Sequence, residues 1–253
     1  MNFIGLYTLV RREVQRMFRV PGQTILSPLI SATLYVFIFG FVIGTSIDEV
    51  AGVPYITFVL PGVLMLNIIS SSFQHTSSSV YFGRFMRHIE EILVSPLSYF
   101  EVVLGFVVGG VVRAVVIAVG IIIVGLLFGA VTLNNPLAFL GYVVGIGAVF
   151  SLLGILVGLW AEGFEQLSAL NIFVITPLTY LGGVFYSITM LPEKMQVFTH
   201  SNPFFYFVDG LRSTMVGVSE ANTTVGLVLI VGLVFFLGWL VMHLLRIGWK
   251  IRP

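Results

Sequence analysis

The sequence predicts an all-α membrane protein that forms a single transmembrane domain over residues 1–253. The chain is 58% hydrophobic and only 9% charged, whereas soluble domains carry about 25% charged residues. Six apolar stretches are long enough to span, since a helix needs about 20 residues to cross the hydrocarbon core. Basic residues also collect on one side of these stretches, which is typical of a multi-pass protein.

The first predicted element is an amphipathic helix over residues 1–20. Apolar residues from Phe3 to Phe18 recur at three- and four-residue steps, and basic residues fall on the opposite face. Such a helix lies in the membrane interface with its arginines toward lipid phosphates. The pattern leaves open whether it only anchors the chain or also holds a partner. The predicted membrane-interface anchors are Arg11, Arg12, Arg16 and Arg19.

Six transmembrane helices follow, and their charge pattern predicts an orientation. Basic groups precede the first span, lie between the second and third, and follow the sixth. With six spans all three groups fall on one side, which predicts cytoplasmic termini. Opposite them lie an acidic loop at Asp48 and Glu49 and a longer connection after the fifth span. The predicted spans are Thr24–Thr45, Tyr55–Ser78, Val102–Val131, Leu137–Ala161, Gln166–Tyr186 and Val225–Leu245.

A short helix over residues 82–96 is predicted in the cytoplasmic connection after the second span. Phe82, Phe85, Ile89 and Ile92 share one helical face, and the charged residues lie mostly elsewhere. A solvated connector would show mixed charge too, but a helix with both apolar and charged groups favours a docking surface. The candidate docking residues are Arg84, Arg87, His88, Glu90, Glu91 and Pro96.

Arg113 is the only basic residue well inside a predicted span. A charge at that depth costs about 2.5–3.5 kcal/mol on insertion scales, so it rarely faces lipid. The residue could gate a pathway, or it could be structural. An ion pair with Glu162 or Glu165, or snorkelling toward the cytoplasm, is the favoured interpretation.

The stretch from Ile175 to Arg212 is apolar yet repeatedly interrupted. Pro177, Gly182-Gly183, Pro192 and Asn202-Pro203 break it, and each break frees backbone groups that lipid cannot satisfy. We therefore expect residues 187–216 to enter and leave the bilayer from the outer side, sheltered by other helices.

This interrupted stretch resembles the membrane permease of exporter-class (type-2) ABC transporters, and most closely the small six-span bacterial permeases. Two further segments extend the resemblance over essentially the whole chain. EEILVSPLSYFEVVLG is similar to the cytoplasmic coupling region of that family, and RREVQRMFRVP to its N-terminal interfacial helix. The residues that carry it in the interrupted stretch are Ile175, Leu178, Leu181-Gly182, Val184, Leu191-Pro192, Pro203-Phe204, Tyr206 and Arg212.

The resemblance implies a homodimer in the bacterial inner (plasma) membrane, embedded in lipid and with no nucleic acid partner. Two copies of a cytosolic ATP-binding subunit would dock on the coupling helices. ATP and magnesium would bind to that partner, with no cofactor in this chain. The re-entrant helices would close the exit as an outer gate, here at Gly182, Gly183, Pro192, Pro203, Tyr206 and Arg212.

The residues also exclude some functions. The chain has no cysteine and no phosphate-binding G-x-x-x-x-G-K-[ST] loop, and its lysines, Lys194 and Lys250, follow no glycine-rich turn. No metal or nucleophile–base pattern indicates an enzyme. An ion-coupled secondary transporter or a membrane scaffold is the alternative. The former usually needs embedded acidic residues, and Glu101, Glu162 and Glu165 lie at span ends.

Overall fold

The computed structural model describes residues 2–44, 47 and 49–251 of the chain. The predicted span end Thr45 and the predicted loop residue Asp48 lie outside these residues. Within them the chain is helical apart from short connections and one small hairpin, which confirms the predicted helical class. The α-helices are α1 Phe3–Arg19, α2 Ser27–Phe37, α3 Tyr55–Phe85, α4 His88–Val94, α5 Tyr99–Leu127, α6 Pro136–Trp160, α7 Phe164–Leu170, α8 Thr176–Tyr180, α9 Glu193–Ser201, α10 Pro203–Val216 and α11 Thr223–Ile247.

Among the residues that the structure describes, five helical runs are long and apolar enough to cross a membrane. The first combines α2 with a π-helical turn at each end, and the others are α3, α5, α6 and α11. They overlap the predicted first, second, third, fourth and sixth spans. The runs cover Gly22–Ile43, Tyr55–Phe85, Tyr99–Leu127, Pro136–Trp160 and Thr223–Ile247.

The predicted fifth span, Gln166–Tyr186, is not among these runs, so six spans are not confirmed. Helix extends over 17 residues from Phe164 to Tyr180, through α7, a π-helical turn and α8. At about 1.5 Å per residue this is about 25 Å, shorter than a hydrocarbon core of about 30 Å. The chain then turns at Gly183, whose φ of +80° suits glycine.

The connection before α3 contains an antiparallel hairpin that the sequence did not predict. Its strands are β1 Glu49–Val50 and β2 Val53–Pro54. Ala51 and Gly52 both have positive φ, +52° and +78°. Two such residues match the twist of a two-residue hairpin turn.

The centre of the fold is α3, which packs against both α5 and α6. Polar side chains of α3 contribute to this packing: Thr76 Oγ1 donates to the Ser151 carbonyl at 2.8 Å. Glycines of α6 allow this close approach. A Cβ on Gly154 would lie 2.1 Å from Thr76 Oγ1, and one on Gly158 would lie 2.7 Å from the Ser77 carbonyl oxygen. Gly154 and Gly158 therefore allow a tight contact between α6 and α3.

We expect Gly154→Ala to destabilise the protein by about 1–3 kcal/mol, because overpacking a close contact costs that much. Gly141→Ala is the matched control, since a Cβ on Gly141 of the same helix meets no atom within 4 Å. At Gly141 alanine should stabilise the helix by up to about 1 kcal/mol, because alanine has the higher helix propensity. Thermal unfolding in detergent measures the stability of both variants. Equal midpoints for the two variants would contradict a tight α3–α6 contact.

The helices have two distinct ends. At the α4 end lie α1, α4 and the C-terminal residues, where Lys250 Nζ pairs with Glu162 at 2.8 Å. At the α9 end lie the hairpin, α9 and the loop after α5, whose Asn134 N–H donates to the Met215 carbonyl at 3.1 Å. These two ends carry separate candidate sites.

Candidate functional site

The predicted coupling helix is divided in two by the structure. Residues 82–85 form the last turn of α3, and α4 begins at His88. Arg87 separates the two helices with a left-handed φ of +61°. Ile89 is buried and holds α4 against the bundle. We call the exposed residues Met86, Arg87, His88, Glu91 and Val94 the α4 surface.

The α4 surface is charged around an apolar centre. Val94 is 87% exposed, and the side chains of His88 and Glu91 are 65% and 79% exposed and lie 3.8 Å apart. Pro96 is also exposed, and Glu90 is partly buried. These predicted docking residues therefore occupy one accessible patch.

Arg84 is not part of this patch, which corrects its predicted docking role. Its side chain is 9% exposed, and Nη1 donates to the carbonyls of Gly158 and Ala161, at 3.0 Å each. Carbonyls at a helix C-terminus lack intrahelical donors. Arg84 satisfies them at the end of α6 and so ties α3 to α6.

Hydrogen bonds join the connection after α4 to the starts of α1 and α5. Ser98 and Glu101 form a capping box at the start of α5. The Glu101 carboxylate also accepts from the Asn2 N–H, and Asn2 Nδ2 donates to the Pro96 carbonyl at 3.4 Å. The connection that follows α4 is therefore held to the first turns of α1 and α5.

The predicted interfacial helix is α1, and hydrogen bonds hold it against the helical bundle. Its predicted apolar face is exposed in part, as at Phe3 (71%) and Phe18 (55%), while Met17 is buried. Of the predicted anchors, Arg11, Arg12 and Arg19 are exposed. Arg16 is partly buried and donates to Ser78 Oγ at 3.3 Å and to the His75 carbonyl.

Glu13 is a buried carboxylate that the sequence interpretation missed. It is 1% exposed and accepts from Ser79 Oγ at 2.7 Å and from Arg12 Nη2 at 2.8 Å. His75 Nε2 lies 3.5 Å from Oε2 of Glu13. A Cβ on Gly109 of α5 would lie 2.6 Å from the Glu13 Cβ, so this glycine admits α1. The sequence contained one signal of this burial. Glu13 lies four positions from both Leu9 and Met17, which are buried, so it falls on the same face of the helix.

Arg113 does not form the predicted ion pair. It is 7% exposed, and among the described residues no ion pair within 4 Å involves it. Glu162 pairs instead with Lys250, and that hydrogen bond and charge lower the pKa of the Glu162 carboxyl. The interpretation that Glu162 or Glu165 balances Arg113 was wrong.

The predicted outer-gate residues lie together at the α9 end. Pro192 precedes α9 and Pro203 opens α10, where a missing N–H is tolerated. Tyr206 Oη bridges the two helices by donating to the His200 carbonyl at 3.0 Å. A Cβ on Gly182 would lie 3.1 Å from the Phe204 carbonyl carbon, so the turn before α9 sits tightly against α10.

Arg212 is fully buried and links three segments at this end. It lies over the Phe58 ring, with its guanidinium carbon 3.8 Å from the ring centroid. Nη2 donates to the Gly183 carbonyl at 2.6 Å and Nε to the Phe58 carbonyl at 3.3 Å. Nη1 lies 3.9 Å from a Glu220 carboxylate oxygen. The side chain therefore fixes α10 to α3 and to the Gly183 turn.

Asp209 does not pair with Arg212 within 4 Å. Its carboxylate accepts from Ser219 Oγ and from the N–H groups of Glu220 and Ala221, each at 2.9 Å. Glu220 in turn accepts from the Ile188 N–H at 3.2 Å and from Ser187 Oγ. Asp209 thus shapes the turn that presents Glu220. Within the described part of the chain no cluster of three His, Asp or Glu side chains could hold a metal.

The sequence is similar to those of known membrane permeases. The chain is 35% identical over 237 residues to the inner membrane transport permease YadH of Escherichia coli (strain K12), covering 93% of each chain. It is 27% identical to nodulation protein J of Rhizobium leguminosarum bv. viciae, covering 88% of this chain and 85% of that protein. Residues 5–216 match the model of the ABC-2 type transporter family. This chain is therefore a membrane permease of the ABC-2 type transporter family.

Proposed function

We infer that the chain is the permease subunit of an ATP-driven exporter, coupled to a separate ATP-binding subunit. The observation that carries this is the α4 surface, an accessible charged patch on a helix tied to α1 and α5 at the end that we assign to the cytoplasm. ATP would be bound and hydrolysed by a partner subunit, because the sequence of this chain contains no P-loop. The family membership and the similarity to a transport permease support the transport role.

The proposed assembly is a homodimer with two ATP-binding subunits, each holding ATP and magnesium. It would lie in the bacterial inner membrane with both termini in the cytoplasm. Arg87, His88 and Glu91 would contact the partner, while Arg84 acts only through packing. The run from Phe164 to Tyr180 would serve as a broken fifth span. The α9–α10 segment would then close the outer end.

The buried carboxylates favour this function over ion coupling. A proton or sodium site needs an embedded acidic group that is free to bind the ion. Glu13, Glu101 and Asp209 are all buried, but each already accepts hydrogen bonds from neighbouring donors. They therefore support the structure rather than ion transport.

Charge reversal on the α4 surface tests the proposal. We expect Arg87→Glu and Glu91→Arg to weaken binding of the ATP-binding subunit about tenfold or more, because mispaired interface charges cost several kcal/mol. The measurement is co-purification of magnesium-dependent ATPase activity with the tagged chain from its native membrane.

Lys194→Glu provides the matched control, since Lys194 is exposed at the opposite end. It should insert into the membrane normally and retain full ATPase activity. Unchanged ATPase recovery with both α4 variants would contradict docking at this surface. Absence of any ATPase with the unmodified chain would contradict the transporter assignment itself.

A further inference from the structure

A polar cavity lies at the α4 end, between α1, α3, α5 and α7. Its volume is about 410 Å³, which suits the headgroup of an amphiphile better than a whole lipid molecule. We call it the Arg113 cavity. Its lining includes no acidic side chain among the described residues, and its polar members include Arg16, Gln74, His75, Ser78, Arg113 and Ser168.

Arg113 is the buried cation of this cavity that has no carboxylate partner within 4 Å among the described residues. Arg16 Nε and His75 Nε2 of the same lining also have no hydrogen-bond partner there. The Arg113 side chain is more than nine-tenths buried, and its Nε–H has no acceptor among the described residues. The nearby charge is Arg16, which repels it. Glu13 offsets Arg16 and Arg12, at 3.4 Å and 2.8 Å, and leaves Arg113 unbalanced. A buried cation without a partner is costly, so the site favours an incoming anion.

One side of the cavity is apolar and open to the surface. Val20, Phe82 and Phe164 line it and are 49%, 44% and 53% exposed. Val20 follows α1, which we place at the membrane interface. A ligand with an anionic group toward Arg113 and an apolar chain across these three side chains would satisfy both parts of the cavity.

We propose that the Arg113 cavity binds the phosphate group of an anionic phospholipid from the surrounding membrane. The arginine guanidinium matches phosphate with a fork of N–H donors. The acyl chains of the lipid extend across Phe82 and Phe164 into the bilayer. The headgroup contacts both α1 and α3 and so holds them together. This site is independent of the ATP-driven transport proposed above.

The test uses the full chain in phosphatidylcholine nanodiscs with an increasing fraction of phosphatidylglycerol. Native mass spectrometry measures retained phosphatidylglycerol, and thermal unfolding measures its stabilising effect. We expect saturable retention that falls about tenfold or more in Arg113→Met, because charge-assisted hydrogen bonds to phosphate are lost. Arg246→Met, which removes an exposed arginine, should retain the lipid like the unmodified chain.

A structural role for Arg113 gives a different result. If Arg113 binds lipid, Arg113→Met should melt no lower than the unmodified chain in pure phosphatidylcholine, because it removes an unpaired buried charge. Equal destabilisation in both lipid compositions would overturn the proposal. Ser168→Asp is the second variant, since Ser168 lines the cavity and is exposed. Its carboxylate should exclude phosphatidylglycerol while the fold is kept.

Inorganic phosphate distinguishes the source of the anion. We expect it to compete weakly with phosphatidylglycerol, because it lacks the chain that contacts Phe82 and Phe164. Saturable binding of inorganic phosphate as tight as that of the lipid would overturn the lipid assignment. Lipid retention that is the same in the unmodified chain, Arg113→Met and Ser168→Asp would overturn the site.

Discussion

Arg212→Ala is expected to destabilise the protein by about 3–5 kcal/mol, the usual cost of breaking a buried charged interaction. The guanidinium bonds to the Gly183 and Phe58 carbonyls and covers the Phe58 ring. Its loss removes the donor to the Gly183 carbonyl and leaves Glu220 without a counter-charge. The Gly183 turn should then separate from α3 and α10.

An introduced cysteine at Val184 reports this separation. The chain has no cysteine of its own, and Val184 is fully buried beside Gly62. A thiol reagent should label Val184→Cys slowly in the otherwise unmodified chain and rapidly when Arg212→Ala is added. Lys194→Ala, an exposed cation at the same end, should leave labelling slow. Arg212→Lys should be intermediate, since an ammonium cannot reproduce the planar stacking. Slow labelling in the Arg212→Ala background would contradict a structural role for Arg212.

Glu13→Ala has the second-largest expected effect, a loss of about 3 kcal/mol or more. Its carboxylate is buried between α1 and α3, where it accepts from Ser79 and Arg12. Removing it leaves the partly buried Arg16 without its counter-charge. We expect α1 to detach from α3 and α5 while the spanning helices stay folded.

Met17→Cys measures the detachment of α1, because Met17 is 1% exposed and lies one turn beyond Glu13. Its thiol should react faster in the Glu13→Ala background. Gln15→Ala is the control, since Gln15 is exposed on the same helix. If Glu13→Ala left the Met17→Cys thiol protected, α1 would be held by its apolar contacts alone.

Hydropathy predicted the long helices well because each span depends on its own composition. It did not predict where the helix of Gln166–Tyr186 ends, because the apolar content stays high to Tyr186 but the helix stops at Tyr180. A turn that begins inside an apolar stretch does not change its average hydropathy. Gly182-Gly183 marked the break in the sequence, whereas the helix continues through Pro177. Only the packing against α10 shows where the helix ends.

Charged residues were harder to place than apolar ones. Arg84 and Arg87 are three positions apart in one predicted loop, but the structure puts them in different environments. Arg84 reaches the free carbonyls of α6, whereas Arg87 follows the end of α3 and stays exposed. The difference in their environments depends on where α6 ends, and the local periodicity of residues 82–96 cannot predict the end of another helix.

The sequence by itself determined that the chain is a helical membrane protein, which segments are apolar enough to span, and which family its motifs resemble. Each of these conclusions follows from local composition or from short sequence motifs. Only the tertiary structure decided that Glu13 is buried, that Arg113 lacks a carboxylate partner, and that Arg212 binds Gly183 rather than Asp209. Those outcomes depend on contacts between segments as distant as α1 and α3, because a buried charge takes its partner from whatever the fold brings near it.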